Sequence, residues 1–205
     1  MFQVGNSLLG ILLFTGWLVD MSKNGLVLVK PSSVVVTGTA TITTNGSVDF
    51  SCTSLLLNGV FSSTYDNYMM VISGNTSTGS AAFSGTFSSG GVPETVAKMR
   101  NAYFSSSSTG SLPSAQVGPL VYVYINASWG TKTGGSVSHI YAPYLAKNTM
   151  VMTSDVSSLA GGSDVPRYLE VCNLTENHPV QYDGLRLSAG ANTLNGRVAI
   201  YGVRK

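Results

Sequence analysis

Period-two alternation is the feature that most narrows what this chain can fold into. In Val121-Tyr122-Val123-Tyr124-Ile125 the three aliphatic side chains fall on one side of an extended backbone and the two tyrosines on the other. Thr39-Ala40-Thr41-Ile42-Thr43 does the same, with threonines on one face and apolar residues on the opposite face. Runs of this kind recur from residue 26 to the C-terminus, divided by Gly, Asn, Ser and Pro. They predict strands over residues 26–30, 34–43, 47–51, 68–73, 81–87, 119–126, 136–141, 149–153, 167–173, 184–188 and 197–203. Asn45-Gly46 lies between two of them and is the strongest hairpin signal, because both residues tolerate positive φ. One segment carries a second signal. Val96, Met99 and Tyr103 are spaced three or four residues apart behind Pro93 and Glu94, which fits a short helix, although an edge strand fits equally. The expected fold is all-β, an antiparallel β-sandwich of jelly-roll type over residues 26–205, with residues 1–25 as an apolar N-terminal extension.

Charge then removes whole classes of function. The 205 residues hold 11 basic and 9 acidic side chains, 10% charged in all, with a net charge of +2. An ordinary soluble domain is about 25% charged. A nucleic-acid reader must neutralise several phosphates, and no run of basic residues forms a stripe here. With 43% hydrophobic residues the chain has enough apolar surface to offset its conformational entropy, which argues against disorder. Cys52 and Cys172 lie in apolar, strand-like surroundings, with no Cys-x-x-Cys pattern and no His beside them. They read as two buried free thiols, a disulfide requiring an oxidising compartment.

Residues 8–19 are the most apolar stretch. They are too short for a membrane span, which needs roughly 20 apolar residues, and residues 1–7 hold no Lys or Arg to open a secretory signal. Residues 21–25 themselves resemble the start of a soluble protein. An upstream extension, a degenerate signal and a docking peptide all compete as readings. The expectation is a docking peptide, anchored on a partner through Leu8, Leu9, Ile11, Leu12, Leu13, Phe14, Trp17 and Leu18.

Catalytic chemistry is hard to assemble from this sequence. There is no dinucleotide fingerprint, phosphate-binding loop or nucleophile elbow. His139 sits in a strand-like run with Val137 and Tyr141 on its face, and His178 sits in the turn Glu176-Asn177-His178-Pro179. Serines are so abundant that a Ser–His coincidence says little. Most carboxylates stand beside Gly, Ser or Asn in apparent turns, where Asp satisfies local backbone donors. Asp155 and Asp164 bracket Gly161-Gly162, but without the denser acidic pattern of a calcium loop. No catalytic residue, metal ligand or cofactor is expected. The aromatic residues Tyr122, Tyr124, Trp129, Tyr141 and Tyr144 concentrate in one central region, as rings at protein interfaces and sugar-binding surfaces do, and packing in the core or between subunits is the competing reading.

Two stretches resemble virion structural proteins of tailed bacteriophages, especially the small fibre and appendage proteins of cyanobacterial phages. The first is Leu56-Leu57-Asn58-Gly59-Val60-Phe61-Ser62-Ser63-Thr64-Tyr65-Asp66-Asn67-Tyr68 and the strand residues 69–73 after it. The second is Tyr182-Asp183-Gly184 followed by a final strand that ends Tyr201-Gly202-Val203-Arg204-Lys205. The resemblance spans 26–205, while its specific motifs cover about a fifth of the chain, and residues 84–114 depart from the pattern. It implies a non-enzymatic, homotrimeric virion component with a β-sandwich head. Its partners would be other virion proteins and a host cell-surface glycan, with no nucleic acid and no membrane span. A capsid-attached decoration or head-fibre protein is the near alternative, and a secreted carbohydrate-binding sandwich the distant one. A glycan-depolymerising enzyme would need a facing pair of carboxylates, and no spacing recommends one.

Overall fold

The computed structural model describes residues 25–76, 81–95, 99–106, 114–120, 123–129, 134–158, 166–175 and 179–204. The expected docking peptide, residues 8–19, lies outside them, as do Tyr122, His178 and Asp164. Fourteen strands make up the described secondary structure. They are β1 (Leu26–Val29), β2 (Ser33–Ile42), β3 (Val48–Asn58), β4 (Asn67–Thr76) and β5 (Ala81–Ser89). β6 (Val92–Pro93), β7 (Met99–Ser106), β8 (Ser114–Leu120), β9 (Val123–Trp129) and β10 (Gly134–Tyr141) follow. β11 (Met150–Ser158), β12 (Pro166–Thr175), β13 (Gly184–Ser188) and β14 (Leu194–Val203) complete the chain.

Every ladder is antiparallel, and one long edge-to-edge path runs β6-β5-β13-β3-β14-β4-β10-β11-β12-β7-β8. The sheet forks at β3. One edge of β3 carries β2 along its length; the other carries β14 over Val48–Cys52 and β13 over Ser54–Leu57. Beyond β14 the sheet continues through β4, β10, β11, β12, β7 and β8, and beyond β13 it continues through β5 to β6 and β9. β9 lies over β11 and β12 without pairing to them. The two branches thereby close as layers of an antiparallel sandwich. Phe87 of β5, Val123 and Ile125 of β9, Ile140 of β10 and Val151 of β11 meet in one buried cluster with the inward residues of β3, β4, β13 and β14. Where β10 and β11 turn hydroxyls inward, Ser138 and Thr153 face each other in the register and share a buried hydrogen bond of 2.9 Å.

The fork depends on a bulge. Inward positions of β3 are Val48, Phe50 and Cys52, then Leu55 and Leu57, so the alternation changes phase midway. Thr37 pairs with Ser54 and Gly38 with Cys52, which leaves Thr53 as the extra residue. Its carbonyl accepts from the Ala189 N–H at 3.3 Å, in the loop that carries β13 into β14. The strand expected here stops at residue 51. The strand in fact runs on to Asn58.

Two further expectations change. The helix weighed over 93–103 is replaced by Val92–Pro93 as a short strand on β5 and by Met99–Ser106 as a strand between β12 and β8. Hydrogen-bonded neighbours on both edges outweigh a weak three-to-four spacing. The single strand expected at 119–126 is two strands, β8 on β7 and β9 on β5, so the chain crosses between branches after Leu120. The hairpin at 43–47 forms as expected. Gly46 alone takes positive φ there (98°), and the Thr43 N–H donates to the Ser47 carbonyl at 2.8 Å.

Candidate functional site

The residues of the two distinctive motifs meet at one end of the sandwich. Phe61 and Tyr68 are both buried, their rings 4.9 Å apart and edge to face. Tyr65 meets Tyr68 edge to face at 5.8 Å. Phe61 also contacts Phe87 at 6.0 Å, and Phe87 stacks on Tyr182 at 5.0 Å and 25°. A continuous chain of rings thus links the loop before β4, the strand β5 and the segment before β13. Contacts of this geometry add to the area the rings already bury.

Polar groups around these rings are spent on backbone. The Tyr68 hydroxyl donates to the Ser62 carbonyl at 3.0 Å and accepts from the Ser62 N–H at 2.7 Å, closing the loop ahead of its own strand. Burial raises its pKa, partly offset by those two bonds. The Asp183 carbonyl accepts from the Phe61 N–H at 3.1 Å, while the Asp183 N–H donates to the Ser88 carbonyl at 3.0 Å. Its carboxylate accepts from the Gly90 N–H, both oxygens standing at 3.1 Å. Tyr182 donates its N–H to the Pro143 carbonyl at 2.8 Å, and burial, then the nearby Glu94 charge, pushes its hydroxyl up to about 12. Ala142, at φ 57°, donates its N–H to the Asp66 carbonyl at 2.9 Å. The chemistry this arrangement performs is the fastening of three loops. A signal for it was present in the sequence as aromatic residues beside Asp and Gly at two distant positions, but not the fact that they pair with each other.

The expected aromatic recognition group is distributed differently. Tyr141 ends β10, opposite Asn67 and Met150, on the outward side of that strand. Tyr144 is half-buried and packs against the core. Tyr124 and Trp129 belong to β9, at ladder positions opposite Ser84 and Ala81, on the inner side of β11. Tyr141 and β9 therefore occupy opposite sides of the β10–β11 layer.

Titratable groups are likewise spread out. His139 is exposed on β10. Asp49 and Glu170 lie within β3 and β12, where strands were expected, and Asp155 lies within β11 rather than in a turn, which corrects the turn reading for that residue. Asp155 stands between Ser136 and Leu169 in the register. Asp49 accepts from Arg197 Nε at 2.5 Å and Nη2 at 2.9 Å across β3 and β14, and that hydrogen bonding holds its carboxyl below the usual range. Cys52 is a buried free thiol, pushed up to about 11 by burial. Among the described residues no three His, Cys, Asp or Glu side chains converge as a metal site would require, and no helix is long and apolar enough to cross a membrane.

Two surfaces stand out instead. β2 pairs only with β3 among the described residues, so its far edge carries unpaired backbone groups over ten residues without a charge or a proline. Val35 on it is 61% exposed. The second surface is the outward side of β1, β14, β4, β10 and β11. One register row across it reads Leu28, Tyr201, Met69, His139, Met152, and the next reads Leu26, Val203, Asn67, Tyr141, Met150. A third reads Ala199, Val71, Val137, Ser154. The alternate residues on these strands, such as Tyr68, Met70, Ile140 and Ile200, fill the core, so these five strands carry largely apolar residues on both faces.

No protein-family model matches the sequence, and a comparison with curated proteins finds no match. Among solved structures, the chain is similar at 11% identity and a TM-score of 0.21 to the carbohydrate recognition domain of Emp47p, over 84% of this chain and 89% of that one. It is similar at 11% identity and a TM-score of 0.25 to the catalytic domain of an endo-1,3-beta-glucanase (laminarinase) from Thermotoga petrophila RKU-1, over 89% of this chain and 79% of that one. Similarity at this level carries no functional inference.

Proposed function

We propose that the chain is a non-enzymatic structural subunit of a bacteriophage virion, a tail-associated fibre or appendage protein that assembles as a homotrimer and bears on other virion proteins. The observation that carries the reading is the junction. The two stretches that resemble phage appendage proteins are far apart in sequence, yet Phe61, Tyr65 and Tyr68 of the first and Tyr182, Asp183 and Gly202 of the second build one set of contacts. A resemblance limited to chance peptides would have no reason to select residues that cooperate in space. The long uncharged edge of β2 suits the trimer, because subunit pairing would satisfy its free backbone groups.

Quantitative mass spectrometry of purified particles, combined with gold-labelled antibodies, tests the proposal. The expected result is a particle-bound chain at a copy number divisible by three, labelled on the tail. Label on the head would replace the appendage by a capsid decoration, and a chain confined to the host-cell lysate would overturn the virion reading.

A further inference from the structure

We propose that the outward face of β1, β14, β4, β10 and β11 is the docking surface for the apolar segment 8–19 of the same chain. This inference stands independently of where the protein resides. Strands in this face alternate core residues with outward ones, and the outward ones are Leu, Met, Val, Tyr and Ala almost throughout. Across β1, β14, β4, β10 and β11 the three register rows contain no Asp, Glu, Lys or Arg; beyond β11 the third row meets Glu170 and the second, past Leu174, meets Arg100. On this face Leu26 is 49% exposed and Met152 36%. A sheet face buried on its inner side and this apolar on its outer side is the pattern of a sheet covered on both sides.

Size and connection select the occupant. Five strands spaced about 4.8 Å apart make a face about 19 Å across, and three rows extend it about 20 Å along the strands. A single peptide of matching length fits across these five strands. Residues 8–19 would span about 18 Å as a helix, the width of the face. The segment also starts from the right place. Leu26, at the corner of the face, is the first residue of β1, and residues 20–25 reach about 20 Å when extended. Residues 8–19 and the five-strand rows hold no Asp, Glu, Lys or Arg that docking would desolvate.

The test uses the full chain with a benzophenone amino acid in place of Leu12, prepared as an equal mixture of ¹⁴N- and ¹⁵N-labelled protein. Irradiation is expected to join position 12 to the strands that carry Met69, Met152 or Tyr201, within single-isotope chains. Links to other strands, links mainly between differently labelled chains, or no link at all would each overturn the proposal. A second full-length variant, Met152→Asp, places a carboxylate on the face without touching the core. Trypsin should cut it after Lys23 at least tenfold faster than the parent while the circular dichroism is unchanged; an unchanged rate sinks the idea.

Discussion

The ring of Tyr65 rests directly on the backbone of Gly202: a Cβ at position 202 would stand 2.3 Å from Tyr65 Cδ2 and 2.4 Å from Cγ. The two motifs thus touch through the absence of a side chain. In most strands an alanine is a better resident than glycine, because glycine loses more backbone freedom on folding. Here the order reverses. Gly202→Ala is expected to cost about 1–3 kcal/mol through overpacking. In a Tyr65→Ala background the same change should cost little, so a double-mutant cycle by urea unfolding should show strong coupling. Additive losses would mean that the ring does not fix position 202.

Gly38 sits opposite the bulge at φ 132°, where a Cβ would meet the Ser51 carbonyl oxygen at 2.4 Å and Cys52 Cα at 2.7 Å. Both obstacles are backbone and cannot rotate away. Gly38→Ala should lower stability by at least about 1–3 kcal/mol, read as a shift in the urea midpoint at constant slope. A neutral outcome would show that the phase change in β3 does not need this residue.

Alkaline stability should report on the ring cluster. Tyr182 has an ordinary value of 10.0 and is pushed up to about 12 in the fold, chiefly by burial. Its contribution is complete below pH 10, where both states are neutral. It is lost as pH rises toward 12, because the unfolded chain ionises first. Tyr68 is shifted in the same direction. Tyr182→Phe should therefore reduce, without abolishing, the fall in unfolding free energy above pH 10. An identical slope in the variant would contradict the assignment.

The Asp49–Arg197 pair has the opposite sign. Hydrogen bonding from Arg197 lowers the Asp49 carboxyl below 3.8, so the pair's contribution is present above that value and disappears as pH falls through the folded value. Both side chains are largely exposed, and solvent screens them. Carboxyl-carbon NMR titration should place Asp49 below its ordinary value and return it there in Arg197→Gln, with the neutral-pH melting temperature nearly unchanged. A large loss of stability at pH 7 would show the pair to be worth more than an exposed ion pair.

Val35→Lys places a charge on the open β2 edge strand, a common way of blocking edge pairing. Light scattering at micromolar concentration should show trimer for the parent and monomer for the variant, at equal thermal stability. A trimer that survives the substitution would move the subunit contact elsewhere on the surface.

Sequence alone determined the class of this protein. Alternation in runs such as Thr39–Thr43 fixes which side chains share a face, and that rule is local, so the all-β antiparallel assignment and the 43–47 hairpin needed no knowledge of neighbours. Tertiary structure decided what local pattern leaves open. Whether Met99–Ser106 is helix or strand turned on the hydrogen-bonding edges that β12 and β8 offer it. Whether β3 ends at Ser51 or runs to Asn58 turned on a bulge that exists only against β2. The same division holds for the site. Tyr65, Tyr68, Tyr182 and Asp183 were conspicuous as residues, but only the fold shows their polar groups tied to backbone and their rings to one another. Contacts between positions so far apart in the chain leave no periodic trace in it. Burial and register, which decide them, are properties of the assembled sheet.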